Sequence, residues 1–387
     1  MRFWRHFGKL MSGVYLVLLI PAAGQAAHPA ASSSEMAALR QIAASLREKK
    51  LPQARSQIAA LIATHPRQER LRFTLGLLLA REQDFRDAAR QFTAALRLRP
   101  SYDAWYNLGL CDSQLQRWRQ AHDAYFQALD LRPQAFDPNL RLGMGYLNQH
   151  RAWRAIPWLY KSVGEQPQNQ QALFLLGEAL LKQHFYNSAV RILERLVAIQ
   201  PKNARAITLL GTTYASSAKY AKALAEFQRA TRLAPNAPNL YVSEAEMETT
   251  LDQDAAALRD FHRALKLRPG YALAWSELGR LELRLGQYAR AETSLRRALR
   301  LQPGDSEPAF NLAKVLISRR DFKGALRLIV PLTTAQPRRA SYWYLQSRAL
   351  EGLGRSHQAA VALTRFSRLR SLTTGKATLL HPADYIH

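Results

Sequence analysis

The sequence predicts an all-α protein that stacks about ten copies of a two-helix unit into a solenoid. Two features predict it: a proline recurs every 33 or 34 residues, and an alanine recurs twelve residues before each proline. A chain of 387 residues could hold two or three globular domains. A repeat array of this length need not divide into such domains, because each unit contacts only its neighbours. The period therefore decides the architecture.

The repeated prolines mark the end of one helix in each unit. Proline cannot continue the helical hydrogen-bond ladder, so it stops a helix. The residues before it are apolar with Lys or Arg among them, which suits the negative end of the helix dipole. The prolines are Pro66, Pro100, Pro133, Pro167, Pro201, Pro235, Pro269, Pro303 and Pro337.

The repeated alanines indicate where the two helices of a unit pack closely. A large apolar residue follows each alanine by four positions, so both lie on one helix face. A small residue, most often Gly, precedes the alanine by twelve positions although Gly within a helix costs about 1 kcal/mol. The alanines are Ala54, Ala88, Ala121, Ala155, Ala189, Ala223, Ala257, Ala291, Ala325 and Ala359.

One unit carries a motif in nearly complete form: Asp103-Ala-Trp105-Tyr-Asn-Leu108-Gly109, then Ala121, Tyr125, Ala128 and Pro133. It resembles the tetratricopeptide repeat, and other units match it in part. The resemblance implies a right-handed α-solenoid of helix-turn-helix repeats. In this register the units span about 35–68, 69–101, 102–135, 136–169, 170–203, 204–237, 238–271, 272–305, 306–339 and 340–373.

The two ends of the chain lie outside these repeats. Basic residues within 1–9, the apolar run Val14–Ile20 and small residues up to Ala27 have the order of a secretory signal peptide, cleaved after Ala26 or Ala27. An uncleaved membrane-associated segment is the alternative. Residues 28–34 read as a linker. Residues 374–387 form a tail, whose apolar residues either cover the last repeat or fray.

The sequence offers no recognisable catalytic or cofactor site. The repeats leave no room for a catalytic domain, and we find no nucleophile elbow, phosphate loop or zinc-protease motif. Cys111 is the only cysteine, which excludes a disulfide within the chain, and we expect it to be a packed residue. Glu244 and Glu248 share a helix face, but the sequence shows no third metal-ligating residue or catalytic base beside them. We therefore expect no enzyme activity, cofactor or metal site.

The resemblance implies that the first helix of each repeat lines a concave groove that binds extended peptides. Cations are concentrated in its C-terminal half, and the ordered Lys, Asn and Arg set of chaperone-binding relatives is absent. The predicted groove residues are Asn107, Lys182, Arg205, Arg280, Arg284, Asn311, Lys314 and Arg348, with Glu178, Glu246 and Glu277 as further polar candidates.

The charge of the chain indicates anionic partners. It has 55 Lys and Arg against 29 Asp and Glu, a formal charge of +26. The first hypothesis is an exported, periplasmic or secreted scaffold that binds protein partners. The alternative is an accessory of envelope polysaccharide assembly or secretion that binds an anionic polymer or membrane surface. Nucleic acid is a weaker expectation because the leader predicts export, and a catalytic subunit is the weakest of all.

Overall fold

The computed structural model describes residues 33–48 and 50–378, and all its regular secondary structure is helical. The predicted signal peptide and residues 379–387 of the predicted tail lie outside the described residues. The all-α prediction is confirmed for the described residues. The described chain divides into two compact units, with the boundary between residues 199 and 200.

The described residues of the first unit form ten helices, each packed against its neighbours along the chain. They are α1 Ser33–Arg47, α2 Leu51–Thr64, α3 Glu69–Arg81, α4 Phe85–Leu98, α5 Tyr102–Gln114, α6 Trp118–Leu131, α7 Phe136–Asn148, α8 Ala152–Glu165, α9 Gln170–Lys182 and α10 Tyr186–Ile199.

In the second unit, residues 200–378 also form ten helices packed in chain order. They are α11 Ala204–Ser216, α12 Tyr220–Leu233, α13 Pro238–Thr250, α14 Asp254–Leu267, α15 Ala272–Arg284, α16 Tyr288–Leu301, α17 Ser306–Ser318, α18 Phe322–Ala335, α19 Ala340–Gly352 and α20 Ser356–Thr378. The odd-numbered helix of each hairpin is called its A helix, and the even-numbered helix its B helix. The predicted domain boundaries remain predictions.

Helix packing in both units centres on the repeated alanines and small residues. All alanines of the repeat from Ala54 to Ala325 are 0% exposed, and Ala359 is 9% exposed. A Cβ added to Gly211 would lie 2.9 Å from Cε1 of Phe227, the large residue that follows Ala223 by four positions. Such a Cβ at Gly109 would meet Tyr125 in the same way. The Gly of the A helix therefore receives the large side chain of the B helix.

The turn between the A and B helices has the same backbone geometry in nine hairpins of the described chain. One residue of each three-residue turn has positive φ: Gln83, Gln116, His150, His184, Ala218, Asp252, Gly286, Arg320 and Gly354. The turns end each A helix in a Schellman pattern, as where the amides of Ala218 and Lys219 donate to the carbonyls of Ala215 and Tyr214. Only two of the nine residues are Gly.

Candidate partner-binding face and buried carboxylates

The A helices α13, α15, α17 and α19 of the second unit lie side by side, each in contact with the next. Three cations occupy the same repeat position on three of them: Arg280, Lys314 and Arg348, spaced by 34 residues. We call these three residues the cation row. Neighbouring packed helices are about 8–10 Å apart, so the row spaces its charges by about one helix diameter.

Arg280 is the most constrained member of the row. Its Nε donates to Oε2 of Glu277 at 2.8 Å, and its side chain is 44% exposed. Burial, followed by repulsion from Glu277, raises the pKa of Glu246 on α13, and Arg280 opposes that rise. An exposed ion pair of this kind stabilises the fold by about 0.2–1 kcal/mol, so an incoming anion could displace Glu277.

The other two cations form no ion pair with a described residue, although Lys314 is less exposed than Arg280. Lys314 places Nζ 4.4 Å from the centre of the Phe310 ring, and burial lowers its pKa. Arg348 is exposed and has no hydrogen bond or ion pair with any described residue. Two large apolar side chains on the same A helices are also exposed, Leu273 at 47% and Tyr344 at 44%. This part of the A-helix surface therefore combines cations with apolar contact area.

Arg284 has a structural role. Its guanidinium donates to the carbonyl of Thr249 at 3.1 Å and to Oδ1 of Asp252 at 3.4 Å, and it also pairs with Asp254. These partners belong to the end of α13, the following turn and the start of α14. Arg284 therefore joins two hairpins of the second unit, although the sequence placed it among the groove residues.

Asn311 is not available on the surface, contrary to its place in the predicted groove set. It is 3% exposed, and its Nδ2 has no hydrogen-bond partner in the described structure. The A helix α17 turns this position towards the core, since Leu312 and Ala313 beside it are also buried. The 34-residue register predicts the position of a residue along its helix. It does not predict how the helix is rotated about its own axis, which decides whether the side chain faces the core or solvent.

The remaining predicted groove residues do not join the cation row. Asn107 and Lys182 lie in the first unit. Nδ2 of Asn107 donates a hydrogen bond to the carbonyl oxygen of Asp103 at 2.7 Å, and Nζ of Lys182 forms an ion pair with Oε1 of Glu178 at 2.8 Å. Arg205 is exposed in the first turn of α11. Whether any of them contacts a partner remains a prediction.

Sequence reasoning missed a basic cleft in the first unit. It has a volume of about 800 Å³ and is lined by α4, α5 and α6. Arg90 and Arg117 at its edge pair with Asp87 and Asp112. Arg86 and Arg97 also line the cleft but make no ion pair with a described residue. The signal available in the sequence was the recurrence of Arg along α4, at positions 86, 90 and 97.

A second missed feature lies inside the hairpin of α13 and α14. Glu244 and Glu248 of α13 meet Asp260 of α14, and one oxygen from each carboxylate lies within 4.8 Å of the others. Glu244 is 9% exposed and Glu248 is 4% exposed. Burial, the neighbouring carboxylates and a contact with Asp260 raise the pKa of Glu248 to about 7. We call these three residues the carboxylate cluster.

Cys111 is buried, as expected of a packed residue. Burial and then Asp112 raise the pKa of its thiol to about 12, so the reactive thiolate is scarce at neutral pH. Within residues 33–48 and 50–378, every helix falls short of the length and apolar character needed to cross a membrane.

Family comparisons agree with the repeat architecture. One tetratricopeptide repeat model matches residues 282–349, and a second matches residues 73–111, 174–238 and 255–306. The tetratricopeptide repeat-containing protein trd-1 of Caenorhabditis elegans is 25% identical over 112 residues, which is 28% of this chain. The chain covers 14% of that relative's length.

A solved structure with a TM-score above 0.5 shows the same fold. The C-terminal part of a repeat-containing protein from Cytophaga hutchinsonii has a TM-score of 0.54 and 15% identity, covering 62% of this chain and 99% of that one. A tetratricopeptide repeat protein from Parabacteroides merdae has a TM-score of 0.46 and 17% identity, covering 64% of this chain and 98% of that one. At 15% identity the first of these likenesses concerns the fold alone.

Proposed function

The chain belongs to the tetratricopeptide repeat family, and we propose that it is an exported, non-catalytic scaffold that binds an acidic protein segment through its cation row. Repeats of this family indicate protein–protein interaction in general. The observation that carries the finer proposal is the placement of Arg280, Lys314 and Arg348 at one repeat position on three adjacent A helices.

The spacing of the row defines what the partner would look like. A chain in the polyproline II conformation has three residues per turn and rises about 3.1 Å per residue, so every third side chain points to the same side at intervals of about 9 Å, close to the distance between adjacent packed helices. A peptide lying across α15, α17 and α19 would therefore meet the row with acidic side chains at every third position. Exposed Leu273 and Tyr344 add apolar contacts for the residues between.

The structure also changes which residues a test should alter. Reversing Arg284 would break its contacts with the α13–α14 turn, so a loss of binding would be confounded by damage to the fold. Lys314→Glu with Arg348→Glu reverses two charges of the row and leaves that junction intact. Arg297→Glu with Arg300→Glu is the matched control, because these exposed arginines of the B helix α16 have no ion-pair partner among the described residues.

The probe is a labelled twelve-residue peptide with Glu at every third position, compared with a peptide of the same composition whose four Glu residues are contiguous. Fluorescence anisotropy should show that the spaced peptide binds the parent more tightly. Lys314→Glu with Arg348→Glu should weaken it about tenfold, which corresponds to about 1.4 kcal/mol. If the row variant and the α16 control bind the spaced peptide with equal affinity, the row is not part of the binding site.

The alternative function is an accessory of envelope polysaccharide assembly or secretion, and the basic cleft of the first unit favours it. Arg86 and Arg97 line that cleft without ion-pair partners in the described chain. Oligogalacturonate, a linear polyacid, is the probe, and its affinity should fall steeply as salt screens the attraction. Arg86→Gln with Arg97→Gln should abolish most of the binding. If oligogalacturonate binds through this cleft and neither peptide binds, the alternative replaces the scaffold proposal.

A further inference from the structure

The carboxylate cluster combines three acids at repeat positions where each neighbouring hairpin of the second unit has no more than one. At the position of Glu244, the neighbouring repeats have Leu210, Leu278 and Leu312, and all three leucines are buried. At the position of Glu248 they have Tyr214, Glu282 and Leu316, and at the position of Asp260 they have Glu226, Ser294 and Leu328, so the last of these hairpins has leucine at all three positions. The helical hairpin can therefore form with apolar residues here, and the repeat architecture does not require the acids.

From this geometry we propose that Glu244, Glu248 and Asp260 form a binding site for a divalent cation of the Ca²⁺ type. Carboxylate oxygens are the preferred ligands of hard cations. Their ligand atoms lie within 4.8 Å of one another. With Ca²⁺–oxygen distances of about 2.3–2.6 Å, two ligands on opposite sides of the ion are about 4.6–5.2 Å apart, so the cluster fits Ca²⁺ with little movement.

An unsatisfied oxygen inside the cluster points to a missing ligand. Glu248 is 4% exposed and its carboxyl contacts that of Asp260, but its Oε2 is buried without a hydrogen-bond partner in the described structure. Burying an unpaired carboxylate is costly, so the group needs a cation or a proton. Among the described residues, no Lys or Arg forms an ion pair with any member of the cluster, although Arg259 and Arg232 contribute weak attraction from nearby.

A neighbouring helix already orients one of the ligands. Oγ1 of Thr231 on α12 donates to Oε2 of Glu244 at 2.9 Å, which holds that carboxylate in place. Such outer contacts fix the geometry of ligands around a metal ion. A cation would also bind more tightly at pH 8 than at pH 5.5, because carboxyl groups must lose their protons to act as ligands.

The test is calorimetric titration of the full-length, chelator-treated protein with CaCl₂ at pH 8, alongside thermal unfolding. We expect one Ca²⁺ per chain, a melting temperature raised by about 3 °C or more at saturating ion, and weaker binding at pH 5.5. MgCl₂ should bind more weakly, because Mg²⁺ requires shorter distances of about 2.0–2.1 Å.

Glu248→Gln should abolish Ca²⁺ binding while circular dichroism shows an unchanged helix content. Glu246→Gln is the matched control on the same helix and should bind Ca²⁺ like the parent. The proposal is overturned if the parent binds no Ca²⁺ at millimolar concentration, or if Glu248→Gln binds it as well as the parent does. A stability that responds to pH but not to Ca²⁺ would mean that the cluster only shares a proton.

Discussion

At the scale of single residues, the hairpins depend on close contact between a small residue and a large one. Gly211 leaves the space that Phe227 occupies, and Ala223 lies one helical turn before Phe227 with 0% exposure. Interiors packed at this density have little spare volume, so an added side chain must displace its neighbours.

Ala223→Phe tests this packing directly. Overpacking a tight core costs about 1–3 kcal/mol, so we expect a lower melting temperature by circular dichroism. The control is Ala225→Phe, since Ala225 lies on the same helix but is exposed. Equal melting temperatures for the two variants would contradict the central role of the repeated alanines.

Residue chemistry also predicts a pH dependence. The pKa of Glu248 is raised in the folded protein from 4.5 to about 7, so the native state binds more protons than the unfolded state between these values. Stability of the metal-free protein should therefore fall as pH rises from about 4.5 to about 7. Urea denaturation in the presence of a chelator measures the fall, and Glu248→Gln should make it shallower. A parent and variant with parallel pH profiles would show that Glu248 does not titrate in this way.

At the scale of helices and turns, the array repeats a backbone conformation with positive φ, which residues other than Gly rarely adopt. The A–B turns place Gln, His, Asp, Ala and Arg at positive φ, where an L-residue costs about 1–2 kcal/mol more than in its preferred regions. Hydrogen bonds of the Schellman pattern and packing of the flanking helices hold the backbone there.

Replacing Ala by Gly in one turn and Gly by Ala in another tests the cost of the positive φ. Ala218→Gly should stabilise the protein by up to about 1 kcal/mol, because Ala218 is exposed and its φ is +58°. Gly286→Ala should destabilise it by a similar amount, and the cause is conformational because an added Cβ meets no atom within 4 Å. Ala221→Gly, at an exposed position within α12, is the control and should destabilise. Chemical denaturation of the three variants measures whether each change raises or lowers the free energy of unfolding.

At the scale of the whole molecule, a charge of +26 favours association with anionic partners and makes it sensitive to salt. Which partners are available depends on where the protein resides. Our proposal of export rests on the basic, apolar and small-residue order of the first 27 residues.

Export makes a prediction about the mature chain. When the full-length gene is expressed in a bacterium with a periplasm, mass spectrometry of the periplasmic fraction should find a protein that begins at Ala27 or His28. Replacing residues Val14–Ile20 with a polar segment should retain the full-length chain in the cytoplasm, because the secretory signal needs its apolar run. Recovery of the unaltered full-length chain from membranes would instead support the uncleaved anchor.

The amino-acid sequence by itself determined the helical class, the 34-residue period and the buried identity of the repeated alanines. These features are local and periodic: proline ends a helix, and spacings of four residues select one helix face. The sequence also identified Arg280, Lys314 and Arg348, whose equal spacing becomes a row because successive A helices lie side by side.

Tertiary structure alone decided features that depend on helix rotation and on contacts between different helices. It buried Asn311, gave Arg284 a partner in the preceding hairpin and brought Asp260 to Glu244 and Glu248. Asp260 is twelve residues from Glu248 along the chain and on another helix, so no helical period relates them. The repeat pattern places residues along the array, whereas the packing of each hairpin decides which side chains meet.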